Sequence, residues 1–504
     1  MTTPSGSDAR PAHSDPIPAH ARSTTMRTDD RVSAGQPPAA GLKANAIGLP
    51  GALMQSVTTM SPAITVAFTV PFLAGTAGVA SPLVVLLAAV VSYLLGYSLA
   101  QLTRHITSAG TYHSFVSRLL GPRWGFLAAW AYLLFYPVAT AMLCGLFGST
   151  THRVLLSEYG WDVPWWAPMM LLLVAVAALA YRGVELAVGV TVALGVFEIL
   201  VMVALSVWGL LQPGDGGTSL NWLTGSGAPT GNGFFLGFVF SIYTYTGWDA
   251  AASLGEETAN PRRNIPKAVL GSIVILGVFV VLTTWGQLAG WGTRDIQGFV
   301  DSEQLPVFVL AHKYWGPLWF LALLALLNSI VGGAIACMNA SARFMYGMAR
   351  SGALPGPLAR LSRHQTPVAA IGVQTVINVV VGLAMIGTVG LYNVYSFTGL
   401  MFTFALAVVY VMGSVAVWRM YRTMARHEFN WVKHAVVPFL GSAALILVAY
   451  ESLDPLPESP FVWALPVVVV WMVGGLVLLL VRRRGLDDEP PEAARPGATE
   501  APVR

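Results

Sequence analysis

Residues 241–252, SIYTYTGWDAAA, place five hydroxyl side chains and one carboxylate, Asp249, inside an apolar run. Such groups are costly in hydrocarbon unless they face other helices or water. Ile242, Tyr243, Thr244, Tyr245 and Thr246 are β-branched or aromatic, a poor helix interior, and Gly247 lowers the cost of unwinding further. A helix broken here leaves carbonyls and amides free to bind a polar solute. Broken backbone at membrane depth is tolerated only where it lines a cavity or lies buried in protein. Asp249 has two readings: it caps the helix half that begins after Gly247, where a carboxylate offsets the helix dipole, or it faces a pocket.

A second such stretch lies earlier, Ser56-Val-Thr-Thr-Met-Ser-Pro-Ala63. Pro62 lacks an N–H, so a helix loses a bond there, and hydroxyls at Ser56, Thr58, Thr59 and Ser61 surround the gap. Taken alone this describes a proline-kinked helix whose hydroxyls bond their own backbone. Two interrupted helices at matching positions in two halves of a chain instead mark an inverted-repeat transporter, with its site between the repeats. Glu198 stands alone in AVGVTVALGVFEILVMVALSVW, where an anion is expensive; it is protonated, paired or facing an aqueous site. Asn328 and Ser329 fall in the middle of a later apolar run, as interhelical hydrogen-bonding groups or as ligands near Glu198. Tyr132 and Tyr136, one helical turn apart, are packing residues or a pocket wall. Glu256, Glu257, Arg262 and Arg263 are a solvated cluster or an inner-side latch.

The elements that must position these groups are membrane helices. Of 504 residues, 55% are hydrophobic and 10% charged. Mean hydropathy is +0.64. That composition excludes an ordinary soluble domain and predicts an all-α membrane protein. Twelve spans are expected, at 47–74, 80–102, 124–148, 165–181, 183–211, 233–254, 267–289, 316–346, 367–387, 391–418, 435–452 and 461–481. With the N-terminus inside, fifteen Lys and Arg fall in inner loops and three, Arg153, Arg294 and Lys313, in outer ones. That bias places both termini in the cytoplasm. Residues 1–44 and 485–504 read as polar disordered tails, the first without the apolar core of a signal peptide. The outer loop 290–315 is long enough for a short lid helix.

Other classes find little support. Histidines sit in the tail, in loops or near span ends, so no metal centre is expected. Cys144 and Cys337 read as small core residues rather than a disulfide. None of the four lysines follows glycine in a phosphate-loop pattern, so no ATP-driven pump, no enzyme and no cofactor is expected. A net charge of +4 is explained by topology and implies no nucleic acid. A channel would show rings of charge or a carbonyl filter.

The run YTGWDAAASLGEETANPRRNIPKAV resembles the sixth-helix signature of the amino acid–polyamine–organocation (APC) transporter superfamily. SAGTYHSFVSRLLGPRWGFLAAWAYLL at 108–134 and NASARFMYGMARSGALPGPLARLSRHQTPVAAI at 339–371 agree with it. The likeness runs from about residue 45 to 481. It implies a five-plus-five inverted-repeat (LeuT-like) fold with helices 1 and 6 unwound. The repeats would be 45–211 and 212–418, with two further helices in 419–484. It also implies that a substrate carboxylate meets the amides of Met60, Ser61 and Ala63, near Thr59, and that an amino group meets the carbonyls of Ile242, Tyr243 and Thr246, beside Gly247. This agrees with the charge at half-helix ends. Tyr243 falls at the family's aromatic gate, with Tyr132 and Tyr136 as further wall residues. Two departures stand out. Met-Ser-Pro-Ala replaces a glycine-rich motif at 60–63, which removes one amide. Glu198 stands where some proton-coupled relatives carry a lysine, so the coupling mechanism does not carry over. The expectation is a monomeric or weakly dimeric plasma- or inner-membrane transporter of an amino acid or amine. A proton or another cation would be the coupling ion at Glu198, Asn328 and Ser329. An exchanger and a non-transporting sensor are the alternatives.

Overall fold

The computed structural model describes residues 42–225, 233–390, 393–451, 453 and 459–481. Apart from 42–44, the two expected tails lie outside the described residues. Seventeen α-helices follow in order. They are α1 Leu49–Thr59, α2 Pro62–Ile64, α3 Val70–Ala77, α4 Ser81–His105, α5 Tyr112–Leu120 and α6 Pro122–Tyr159. Then come α7 Trp166–Arg182, α8 Val184–Leu211, α9 Gly233–Thr244, α10 Pro261–Trp291, α11 Ile296–Val300 and α12 Pro306–Trp315. The last are α13 Phe320–Arg350, α14 Val368–Val389, α15 Val394–Thr423, α16 Val437–Glu451 and α17 Ala464–Val481. Among the described residues there is no strand, only a single bridge between Ile47 and Thr258.

Proline opens many of these helices, because the first turn needs no amide there. Pro50, Pro62, Pro82, Pro122, Pro261 and Pro306 all sit at the first or second helical position. Among the described residues, nine stretches are long and apolar enough to cross a membrane. One of them, Leu49–His105, has 57 residues, about 85 Å of helix against a hydrocarbon core of about 30 Å, so it crosses more than once. It divides at Gly78, whose φ of +57° with ψ of −136° suits only glycine. The expected fourth span appears as α7 with 17 residues. The expected sixth is cut short at α9 with 12. The stretch 290–315 carries two short helices, α11 and α12.

α6 and α15 form the centre, with 83% and 72% of their apolar windows buried, whereas α14 and α17 bury only 28% and 22%. The outer helices expose Val376, Val380, Val470 and other large aliphatics, a surface that only an apolar medium covers cheaply. α17 is riveted to α6 by Trp130 and Trp471. Their rings stack at 4.5 Å, and each indole N–H donates to the other's backbone carbonyl at 2.7 Å.

The ion pairs around Glu256 and Glu257 are not the expected ones. Arg343 of α13 pairs with Glu257 while both side chains are almost fully buried, and it also donates to the Asn339 carbonyl at 3.1 Å. Arg350 donates to Glu256 at 2.8 Å, and the Ala109 amide donates to the same carboxylate at 3.0 Å. The backbones of Ile47 and Glu257 meet at 3.1 Å. Glu256 and Glu257 are thus tied to α13, while Arg262 and Arg263 sit exposed on the first turn of α10.

Candidate functional site

Two helices stop where the sequence says they should. α1 ends at Thr59, Ser61 takes the left-handed conformation at φ +50° and ψ +72°, and Pro62 starts the helix again. Three of the four hydroxyls around this gap are turned on their own backbone. Thr58 donates to Met54 at 2.7 Å, Thr59 to Gln55 at 2.6 Å and Ser61 to Thr58 at 3.2 Å. α9 ends at Thr244, Gly247 lies at φ +113°, and residues Trp248–Leu254 continue as a 3-10 helix.

The two gaps touch. A Cβ on Gly247 would lie 2.6 Å from Cγ2 of Thr59, so only glycine allows this approach. Ser56 pins them together: it donates to the Trp248 carbonyl at 2.7 Å and accepts the Ala251 amide at 2.9 Å. Between the gaps lies a cavity of about 40 Å³, room for a few waters in this state. Thr59, Met60, Ser61, Tyr243 and Thr246 line it, as do Thr65 and Thr244. Tyr243 covers one side, edge-on to Tyr395 at 5.5 Å, and Tyr395 is held to Thr69 by a 3.2 Å hydroxyl contact.

The expected peptide ligands are mostly engaged already. Met60 N–H donates to the Ser56 carbonyl, Ser61 N–H to Thr58, and Ala63 N–H to the Ser329 hydroxyl at 3.2 Å. The Ile242 and Tyr243 carbonyls accept from Tyr245 and Thr246, which leaves each a second lone pair.

The two deep carboxylates are held in different ways. Asp249 accepts from Tyr136 at 3.0 Å and from Tyr410 at 3.4 Å, one hydroxyl on each oxygen. Gly247 holds the cap position without a side-chain cap bond, and the amides of Gly247 and of Asp249 itself also face this carboxylate. Glu198 is 1% exposed, and its Oε2 has no hydrogen-bond partner. The groups facing it are the Ser329 hydroxyl and the Ala63 amide. Ser329 accepts from the amides of Ala63 and Ile64, so its own proton is left to donate toward Glu198. Asn328 points elsewhere, donating to the Leu194 carbonyl at 2.6 Å, an interhelical tie between α13 and α8.

A profile described as amino acid permease matches residues 47–477, nearly the whole described chain. The chain belongs to this family. Its curated relatives are permeases and transporters rather than enzymes. The polyamine transporter RMV1 of Arabidopsis thaliana is 27% identical over 271 residues, 51% of each chain. The branched-chain amino acid permease BcaP of Lactococcus lactis is 24% identical over 328 residues, 59% of this chain and 66% of that one. The low-affinity putrescine importer PlaP of Escherichia coli is 26% identical over 268 residues, 51% of this chain and 56% of that one. These alignments cover about half to two-thirds of each relative's length.

Within this permease the wall residues of α6 are not the expected ones. Tyr132 and Tyr136 lie off the cavity, packed on each other at 5.4 Å, and Phe135, Ala139, Met142 and Leu143 face it instead. Those four fall at i, i+4, i+7 and i+8, one face of a helix, so the stripe was open to a periodicity search. Cys337, Tyr395 and Phe402 also line the cavity. No local pattern in the sequence points to them, because each sits in an evenly apolar helix.

Proposed function

We propose that the chain is a secondary active transporter that moves an amino acid across the cell membrane by alternating access, with proton symport through Glu198. The observation that carries this reading is the contact of two helix gaps, Thr59 against Gly247, around one cavity in an amino acid permease. Twelve spans in two inverted sets of five plus two fit the stretches found, and the excess of inner-loop cations supports cytoplasmic termini.

Substrate binding replaces the internal partners of the gap. The positive end of α2 aims its first free amides at Ser329, and a substrate carboxylate competes for the Ala63 amide. Glu198 feels that exchange through Ser329, which gives proton and substrate a shared contact. Carbonyls of α9 take the amino group on their second lone pairs. Uptake into proteoliposomes is expected to rise with an inward proton gradient, and Glu198→Gln to lose that dependence. Uptake indifferent to the gradient in the wild-type protein overturns the coupling.

A second reading, exchange of amino acids or cationic amines, is favoured by the relatives named as polyamine transporters and as a putrescine importer. Counterflow in the absence of any ion gradient would support it.

A further inference from the structure

We propose that the cavity takes amino acids with an uncharged apolar side chain and rejects diamines and polyamines. This rests on the transport reading above and specifies its cargo. The cavity has two unlike walls. One is polar, made of the backbone and hydroxyls at Thr59, Ser61, Thr65, Thr244 and Thr246. The other is apolar, made by Phe135, Ala139, Met142 and Leu143 of α6 with Phe402 of α15. Among the described lining residues there is no Asp, Glu, Lys or Arg.

The two deep acids lie outside that lining. Both oxygens of Asp249 are engaged by Tyr136 and Tyr410. Glu198 is not a lining residue; it faces the Ser329 hydroxyl and the Ala63 amide behind the gap. An α-amino acid carries its two charges on neighbouring atoms, so one wall of peptide groups and hydroxyls matches both. Its side chain then falls on the α6 stripe. A diamine carries its second ammonium several bonds from the first. With one end held at the gaps, the other meets a wall without a carboxylate, and a buried charge left without a counter-charge is strongly disfavoured. Ala139 is the smallest residue of the stripe and sets its depth, because side chains at i and i+4 leave a recess above it.

Binding alone tests this, by thermal shift of the purified full chain, since a ligand that binds only the folded state raises the melting temperature. Leucine, isoleucine and phenylalanine are expected to raise it, while lysine and putrescine at tenfold higher concentration leave it unchanged. An equal shift with putrescine or lysine, or none with any apolar amino acid, overturns the proposal. Ala139→Asp places a carboxylate on the apolar wall and is expected to weaken leucine by more than about tenfold and to gain a lysine or putrescine shift. If that variant does not fold, Ala139→Leu serves: leucine is lost while alanine is kept. Unchanged leucine binding in both variants places the side chain elsewhere and overturns the assignment. Flux into proteoliposomes is scored separately. Stabilisation by leucine without flux refutes transport and leaves the cargo class standing.

Discussion

The first gap is narrow and the second is wide. α1 halts for two residues, Met60 and Ser61, and resumes at Pro62. After α9 the chain turns through Gly247 and resumes as a 3-10 segment of seven residues. Each gap has a buried carboxylate nearby, and the two carboxylates differ in the same direction as their surroundings. Asp249, beside the wide gap, is braced on both oxygens by hydroxyls from α6 and α15. Glu198, behind the narrow gap, keeps one oxygen without a partner. A carboxylate with both oxygens engaged is a structural brace. One left short has room for a proton or cation, and an orphaned buried acceptor persists against a cost of about 1–3 kcal/mol.

The contrast can be broken at several points. The largest effect is expected at the contact itself. Gly247→Val adds a branched side chain at φ +113° and drives it into Thr59, so uptake should vanish and the yield of folded protein fall. Ser61→Gly, which relieves the other left-handed residue, should fold as well as the parent; fluorescence-detected gel filtration of both variants separates the two gaps. Next comes a paired exchange of the acids. Glu198→Gln should keep the melting temperature within a degree or two and lose the response to a proton gradient. Asp249→Asn should keep that response and lose about 1–3 kcal/mol of stability, because two hydroxyls lose a charged acceptor. The reverse pattern would exchange the two roles. The smallest effects belong to the brace. Tyr136→Phe and Tyr410→Phe should each cost about 1 kcal/mol, and the double variant should fall short of their sum because both act on Asp249. Full additivity in denaturation would show two independent contacts.

The gaps themselves were legible because their residue types encode backbone: Pro62 removes a donor, and Gly247 permits a positive φ where β-branched neighbours weaken the helix. Glu198 was legible because a lone carboxylate in an apolar run is conspicuous at any position. The partners were not. Tyr410 lies 161 positions from Asp249, and Arg343 lies 86 from Glu257. Such pairs depend on how helices stack, which local propensity does not contain. The side of α6 that faces the cavity was misjudged for a related reason. Tyr132 and Tyr136 carry polar tips and draw the eye, yet they turn toward Asp249 and the aromatic core, while the unremarkable Ala139 and Met142 take the wall. Chemistry-bearing side chains are conspicuous in a sequence; the space left by small ones is not.

The Glu257–Arg343 pair bears on how easily α13 parts from the segment that carries Glu257. Two ions dried out on closing lose their hydration, and that loss cancels much of the attraction between them. When water re-enters, hydration is regained as the contact breaks, so the net cost of separation stays small. An oily plug of the same size would recover nothing on wetting and would resist parting. A dry ion pair thus makes a contact that is specific in register yet light to open.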